Sequence, residues 1–207
     1  AMCEQLDRRI GRILDRLDAT GLAAGTLVAY LSDHGDLLGE HGCWFKSSYY
    51  EGSAGVPLIA RWPGRIPPGG VCGDLVSLLD LGPTFCAAAG AQMPPGTDGV
   101  SLLERMTGRT AAPARDAVLA ELSHDRYSPE VPSRMLRTGD WKLWQALFPD
   151  GPQTLLFNLR DDPGELRDLS QAPACAAVRD ALLRRLHDGW DPAAVAAESA
   201  RRSREVV

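Results

Sequence analysis

The sequence predicts an α/β fold that is followed by a small antiparallel sheet with a terminal helix. An amphipathic helical pattern over residues 4–18 precedes a buried apolar run at 26–31, as in half of a βαβ unit. Four short strand-like runs then alternate with turns between residues 117 and 159, as in an antiparallel sheet. A last helical pattern covers residues 174–187.

In the first half of the chain, the helix at 4–18 carries five apolar side chains on one face and ends near Gly21: Leu6, Ile10, Ile13, Leu14 and Leu17. The apolar runs at 26–31 and 56–61 are predicted strands. The helix and the first of these strands form half of a βαβ unit whose other strand would precede residue 1, and this order favours a parallel sheet. Asp80 is the predicted N-cap of a short helix at 81–89, which Gly90 closes. Residues 47–55 are predicted to be a polar loop.

In the second half, the turns Gly139-Asp140 and Pro149-Asp150-Gly151-Pro152 separate successive strands. The predicted strands cover residues 117–122, 133–137, 141–145 and 154–159. Trp141 and Trp144 are expected to pack within this sheet. The polar connection at 104–115 indicates a boundary, so we expect domains at 1–110 and 111–207.

Composition limits the function. The chain has 207 residues, 44% of them hydrophobic and 24% charged, which is ordinary for a globular protein. The net charge of −5 argues against nucleic-acid partners, and no apolar run reaches the ~20 residues that a membrane helix needs. The five cysteines have no paired spacing, which favours free thiols and a cytoplasmic location.

The first seven residues lack the basic start and apolar core of a signal peptide. Ala1 precedes the only early methionine, so we expect the chain to be a piece of a longer protein, from which a signal could be missing.

The most informative segment follows the run at 26–31 and reads S-D-H-G-D-L-L-G-E-H-G-C-W-F-K, residues 32–46. Adjacent carboxylate and imidazole groups, Asp33 and His34, make half of a divalent metal site at a strand end. Lys46 could bring an ammonium group to the same pocket, and a metal with an ammonium suits an anionic tetrahedral substrate.

Simpler interpretations of the same residues stay open. An Asp before a Gly is typical of a turn, His41 and Glu40 could be ordinary loop residues, and Lys46 could be a surface lysine. Lysine is rare here, however: only two of the 22 basic residues are lysines, Lys46 and Lys142.

The segment T-L-V-A-Y-L-S-D-H-G-D-L-L-G-E-H-G-C-W-F-K-S-S-Y-Y-E-G-S-A-G-V-P-L-I-A-R-W-P-G resembles the second signature region of the sulfatases, in the alkaline phosphatase superfamily. R-T-G-D-W-K-L at 137–143 and L-F-N-L at 156–159 with D-P-G-E at 162–165 resemble the C-terminal subdomain of that family. The resemblance covers essentially the whole chain. It implies the C-terminal part of an alkaline-phosphatase-like α/β/α sandwich, followed by the antiparallel subdomain.

The resemblance implies roles for single residues. Asp33 and His34 match the two downstream metal ligands of the family, and Lys46 matches the lysine that contacts sulfate or phosphoryl oxygens. A histidine at the second position is typical of the choline-sulfatase and phosphonate-monoester-hydrolase-like branches. His41 is expected beside the metal ligands or at the substrate rim.

We expect the family nucleophile to lie outside the chain. Sulfatases use a formylglycine made from a Cys or Ser within C/S-x-P/A-x-R. The proline form of this pattern does not occur here, and the alanine form occurs once, as C-A-A-V-R at 175–179, within the predicted C-terminal helix. The upstream paired acids that complete the metal site are also missing. Gly52 and Gly55 stand where many members have Glu and Arg. We therefore expect the formylglycine in an N-terminal half outside this chain, and an inactive chain without it.

The expected activity of the full-length parent is metal-dependent hydrolysis of a small-molecule sulfate ester. Phosphonate monoester or phosphodiester hydrolysis is one alternative, and a non-catalytic truncated or binding module is another. The expected metal ion is calcium, as the resemblance implies, or else manganese or another transition ion. A histidine ligand favours the second group. A homo-oligomer stays open.

Two weaker site candidates lie in the second half. His124 could line a substrate pocket or be structural. The acidic stretch at 161–165 could chelate cations, but a turn is the better interpretation.

Overall fold

A computed structural model describes residues 2–113, 115–122 and 131–205. Within these ranges the helices are α1 (Met2–Ala19), α2 (Glu51–Ala54), α3 (Leu81–Ala89), α4 (Leu103–Met106), α5 (Ala176–His187) and α6 (Pro192–Glu205). The strands are β1 (Val28–Leu31), β2 (Leu58–Arg61), β3 (Ala117–Leu122), β4 (Ser133–Thr138), β5 (Trp141–Phe148) and β6 (Gly151–Asn158). Among these helices, none has the length and apolar character needed to cross a bilayer.

The chain divides into two compact units, which are described separately. The first unit comprises residues 1–33 and 57–114, and the second comprises residues 34–56 and 115–207. The predicted domains at 1–110 and 111–207 stay a prediction. One feature of this division matters for the site: the segment 34–56 belongs to the same unit as the C-terminal sheet.

In the first unit, the predicted helix at 4–18 and the two predicted strands are present as α1, β1 and β2. The parallel sheet stays a prediction, because the parallel partner expected for β1 is not part of this chain. β1 and β2 pair antiparallel, with Val28 opposite Arg61 and Leu31 opposite Leu58. A parallel connection needs a crossover, usually a helix of several turns, and the only α-helix between these two strands is the four-residue α2. The antiparallel pairing follows from that connection.

Asp80 precedes α3 as predicted, but its carboxylate does not cap that helix. It accepts a hydrogen bond from the Ser77 amide at 2.8 Å and another from the Val100 amide at 2.9 Å. The helix ends at Gly90, which has a left-handed φ of 69°. Asp80 therefore occupies the N-cap position of α3 as predicted, while its carboxylate ties Ser77 to Val100.

In the second unit, the predicted antiparallel sheet is confirmed. Its strand order is β3-β4-β5-β6, and every neighbouring pair is antiparallel. Two-residue turns at 139–140 and 149–150 join β4 to β5 and β5 to β6, because Thr138 faces Trp141 and Phe148 faces Gly151. Gly139, the first residue of its turn, has a positive φ of 50°, which tight hairpin turns favour at that position.

The two faces of this sheet are covered differently. On one face, five leucines from β4, β5, β6 and α5 form the core: Leu136, Leu143, Leu156, Leu182 and Leu186. The other face packs against residues 49–51, through contacts to Trp144, Phe157 and Lys142. The sheet is therefore covered on both sides, which explains why β5 buries consecutive residues.

Some predicted details differ in the structure. Residues 47–55 are not wholly loop, because α2 forms within them. The helix at 174–187 is confirmed as α5, yet it is not the last helix, since α6 follows it. The prediction for His124 falls outside the described residues.

Candidate functional site

Three of the candidate site residues, His34, His41 and Lys46, lie at the start of the second unit, and Asp33 is the residue just before it. We call residues 34–56 the motif loop. Three backbone hydrogen bonds fold it back on itself: Gly35 N to Ser53 O at 2.8 Å, Leu37 N to Phe45 O at 2.8 Å, and Gly39 N to Cys43 O at 2.9 Å. Because these bonds span the loop, His34, His41 and Lys46 are carried by one folded segment.

The two predicted metal ligands are consecutive at the end of β1. Asp33 is exposed and His34 is half-buried. The Nδ1 atom of His34 lies 2.7 Å from the carbonyl oxygen of Gly35. A carbonyl oxygen can only accept, so Nδ1 carries the proton and the ring's lone pair is on Nε2.

This tautomer suits a metal ligand, since ligating histidines usually donate their other ring N–H to a carbonyl or carboxylate. Asp33 and His34 therefore fit a divalent cation as one oxygen and one nitrogen donor. They are two donors only, and the described residues contain no cluster of three or more His, Cys, Asp or Glu side chains placed to hold a metal ion. The assignment of these ligands stays a prediction.

Lys46 is exposed near the end of the motif loop. Its carbonyl oxygen accepts hydrogen bonds from the Ser53 hydroxyl and, at 2.5 Å, from the Ser48 amide. The backbone of Lys46 is thus fixed while its side chain reaches into solvent. A fixed stem with an exposed ammonium is suited to bind an anion.

Ser53 joins the two ends of the candidate site. Its carbonyl oxygen accepts from Gly35, the residue after His34, and its hydroxyl donates to Lys46. The side chain is buried, at 2% exposure. The backbone of Gly52 and Ser53 also passes so close to Gly35 that a Cβ there would lie 2.0 Å from the Gly52 oxygen. Only glycine therefore fits at position 35.

His41 is held by an aromatic stack. Its ring lies parallel to that of Tyr50, with centroids 3.7 Å apart and an angle of 3° between the planes. Tyr50 contacts Trp144 and Phe157 of the sheet in turn. Burial raises the pKa of Tyr50, so the ring stays a neutral phenol. His41 is thus placed by packing, while its predicted role stays untested.

Three non-glycine residues of the motif loop have left-handed backbones: Leu38 at φ 49°, His41 at φ 52° and Phe45 at φ 69°. Such conformations cost free energy and concentrate at functional sites. Leu38 and Phe45 are also exposed, at 73% and 70%. These two side chains therefore do not hold the loop in shape, whereas the fold-back hydrogen bonds and the burial of Leu37 and Tyr49 do.

A cluster of charges that the sequence patterns did not indicate lies beneath the loop. The ammonium Nζ of Lys142, fully buried, lies 2.7 Å from Glu51 Oε1 and 2.9 Å from Glu165 Oε1. Glu165 Oε2 also accepts from the Glu51 amide at 2.5 Å. The rarity of lysine in this chain was the one signal that could have indicated Lys142.

The acidic stretch at 161–165 is a turn, as preferred from the sequence. Asp162 N bonds to Asn158 O, and Glu165 N bonds to Asp162 O. The Asp162 carboxylate caps the amide of Arg167 at 2.8 Å, and Glu165 turns inward to Lys142. These carboxylates have protein partners, in keeping with a structural turn.

Comparisons with known proteins agree with this architecture. Residues 39–190 match the family described as N-sulphoglucosamine sulphohydrolase, C-terminal. The choline-sulfatase of Rhizobium meliloti is 40% identical over 81% of this chain and 31% of its own length. Arylsulfatase K of Xenopus laevis is 34% identical over 91% of this chain and 36% of its own length. The chain spans about a third of the length of these relatives.

Solved structures give the same result. A protein solved in complex with its substrate D-glucosamine-2-N,6-O-disulfate has a TM-score of 0.80 and 28% identity, over 88% of this chain and 37% of its own. The phosphonate monoester hydrolase of Agrobacterium radiobacter has a TM-score of 0.76 and 27% identity, over 89% of this chain and 39% of its own.

Proposed function

This chain belongs to the sulfatase family, by its match to the family's C-terminal domain, and we propose that it completes the active site of a metal-dependent sulfuric ester hydrolase. In this proposal Asp33 and His34 supply two ligands of a divalent metal ion, Lys46 binds the sulfate oxygens, and His41 borders the substrate. The nucleophile and the other metal ligands come from residues outside this chain.

The observation that carries the proposal is the fold-back of the motif loop onto Ser53. One buried residue bonds both to the neighbour of His34 and to Lys46, so a metal ligand and an anion-binding group are held by a common support. A sulfate ester carries negative charge on several oxygens, and such charge is stabilised best by positive groups that are already in place.

A divalent ion bound at Asp33 and His34 would polarise the ester oxygens as a Lewis acid. The Nδ1–H to Gly35 hydrogen bond would keep the His34 ring in the tautomer that leaves Nε2 as the donor atom. Lys46 adds a charge with three N–H donors, and its fixed backbone lowers the entropy lost when the anion binds. His41, whose ring is stacked on Tyr50, would border the bound substrate.

The proposal is tested with the full-length protein that contains this chain, on an aryl sulfate. We expect turnover that EDTA abolishes, and calcium or manganese added back identifies the metal. Lys46→Met is expected to lower kcat/KM by about 100-fold, since one charge-stabilising group is worth that much. Ser47→Ala, also exposed and one residue away, is the matched control and should stay within about twofold.

Unchanged turnover in Lys46→Met would contradict the role given to Lys46. Absence of any turnover in the full-length protein would favour a non-catalytic module instead. We also expect the 207-residue chain alone to be inactive, because its one match to C/S-x-P/A-x-R begins at Cys175, which packs against the leucine core, and the proline form of the pattern does not occur. Measurable arylsulfatase turnover by the isolated chain would show that the nucleophile lies within it.

Phosphonate monoester or phosphodiester hydrolysis is the second candidate, and the structural similarity to a phosphonate monoester hydrolase favours it. The same residues would serve, because phosphoryl and sulfuryl groups both present tetrahedral anionic oxygens. Comparing kcat/KM on an aryl sulfate and an aryl phosphonate decides between them, and the larger value identifies the reaction.

A further inference from the structure

We propose that Lys142 is a positioning residue, which acts through Glu51 to fix the motif loop on the C-terminal sheet and so sets the places of His34 and Lys46. The kinetic consequence rests on the proposed function, whereas the structural consequence does not. Lys142 is proposed to act on His34 and Lys46 indirectly, by fixing the backbone of the motif loop.

The first step is the attachment of Lys142. It lies on β5 on the sheet face that is opposite the leucine core, and its ammonium is fully buried between Glu51 and Glu165. Glu165 is buried as well, at 3% exposure, and has a left-handed backbone at φ 53°. This unfavourable backbone places a carboxylate where it can face both Lys142 and the amide of Glu51.

The second step runs from Glu51 to the candidate site. Glu51 is held twice, by its carboxylate to Lys142 and by its amide to Glu165. It begins the single turn of α2, and Ser53 in that turn bonds to Gly35 and to Lys46. Only Gly52 therefore lies between Glu51, which pairs with Lys142, and Ser53, which supports both site residues.

Burial of the Lys142 ammonium opposes folding but restricts how the loop can lie on the sheet. Removing the Lys142 ammonium and the Glu165 carboxylate from water opposes folding, and apolar residues of similar volume commonly stabilise a protein as well or better. What an ion pair adds is geometry, because a buried charge accepts only the arrangement in which its partners are present. An apolar contact would hold the loop against the sheet without fixing its register.

Neighbouring contacts support the same arrangement. The hydroxyl of Tyr49 donates to Ser133 O at 2.8 Å, and Tyr50 packs on Trp144 and Phe157. These contacts attach the loop to the sheet but involve residues before α2. Lys142, in contrast, contacts α2 itself at Glu51, and Ser53 lies in the same helical turn.

The test compares Lys142→Met with Leu186→Ala in the full-length protein. Methionine keeps the length of the lysine side chain and removes its charge. Leu186→Ala leaves a cavity on the other face of the same sheet and is the matched control for lost stability. Both variants are studied at a temperature at which each is folded, and hydrogen exchange is followed at the amides of Gly35, Leu37 and Ser53.

We expect Lys142→Met to speed exchange at these loop amides by about tenfold or more, relative to amides of β4 and β5. We expect kcat/KM on an aryl sulfate to fall by about tenfold or more, with Leu186→Ala within about twofold of wild type. Glu51→Gln keeps a hydrogen-bond acceptor for Lys142 and should give a smaller effect of the same kind.

Equal changes in loop and sheet amides, or equal kinetic losses in Lys142→Met and Leu186→Ala, would overturn the proposal and leave Lys142 a purely structural residue. A wild-type protein without ester hydrolysis would contradict the proposed function instead. In that case the exchange comparison still decides whether Lys142 positions the loop.

Discussion

The two faces of the C-terminal sheet solve different problems with the same strands. The face toward α5 is built from leucines, which gain free energy from burial and tolerate small adjustments. The other face contacts the motif loop through aromatic and charged side chains. Trp144 of the sheet contacts Tyr49 and Tyr50 of the loop, and Lys142 of the sheet lies between Glu51 and Glu165. The comparison teaches that one side of a sheet can supply stability while the other defines where a functional loop lies.

Breaking the ionic face should have the largest effect. Lys142→Met leaves Glu165 buried without its counter-ion, so we expect the free energy of unfolding to fall by about 3–5 kcal/mol. Adding Glu165→Gln removes the stranded charge and keeps an acceptor for the Glu51 amide. The double variant should therefore recover part of the loss in urea denaturation. Additive losses would mean that the charges do not act as a unit.

The leucine face offers the direct comparison. Leu156 is fully buried in the core, so Leu156→Ala should cost about 2–5 kcal/mol in the free energy of unfolding. Leu119→Ala, on β3 and 42% exposed, is the matched control and should cost far less. In Leu156→Ala we expect exchange to speed at sheet amides without preference for the motif loop. Selective exposure of the loop would break the distinction between the faces.

The sequence predicted the C-terminal sheet well because its signals are local. Gly139-Asp140 and the turn at 149–152 mark hairpins, and hairpins determine antiparallel pairing between neighbours. The antiparallel pairing of β1 with β2 was not predicted, because it depends on a long connection, residues 32–57, whose internal folding no local pattern shows.

The candidate site divides in the same way. Asp33, His34, His41 and Lys46 fall in one short motif, so the sequence alone could single them out. Lys142 could not be placed, because its partner Glu51 is 91 residues away and an alternating strand pattern assigns a lysine to the solvent side. Only the covering of both sheet faces makes its position a buried one.

The hydroxyl of Tyr49 tests the contribution of a neutral contact on the loop face. Tyr49→Phe removes the hydrogen bond to Ser133 O, and we expect a loss of about 1 kcal/mol at pH 7. Burial raises the pKa of Tyr49 from 10.0 to about 12, so the unfolded state loses its proton first. Stability from this group is complete below pH 10 and is lost as the pH rises toward 12.

The free energy of unfolding of wild type should therefore fall by about 2–3 kcal/mol between pH 10 and 12 through ionisation of Tyr49. Tyr49→Phe should not show this part of the fall. Denaturation at pH 9 and pH 11.5 measures the difference. Tyr30→Phe, on β1 and partly exposed, is the control and should keep the alkaline loss of wild type. If the free energy of unfolding of Tyr49→Phe fell as steeply between these pH values as that of wild type, the Tyr49 phenol would not be the cause of the alkaline loss.

The smallest effect is expected at the edge of the leucine face. Arg185 Nη2, in the last turn of α5, lies 2.8 Å from Asp116 Oδ1, just before β3, and both side chains are largely exposed. The hydrogen bond from Arg185 holds the pKa of Asp116 below its usual value, so any contribution is present at neutral pH and lost in acid. Exposed pairs add little, and we expect Asp116→Asn to leave the urea midpoint unchanged at physiological salt. A change in the urea midpoint as large as that of Tyr49→Phe would mean that charge also fixes α5 on the sheet. The two faces would then differ in composition but not in the kind of contact that holds their partners.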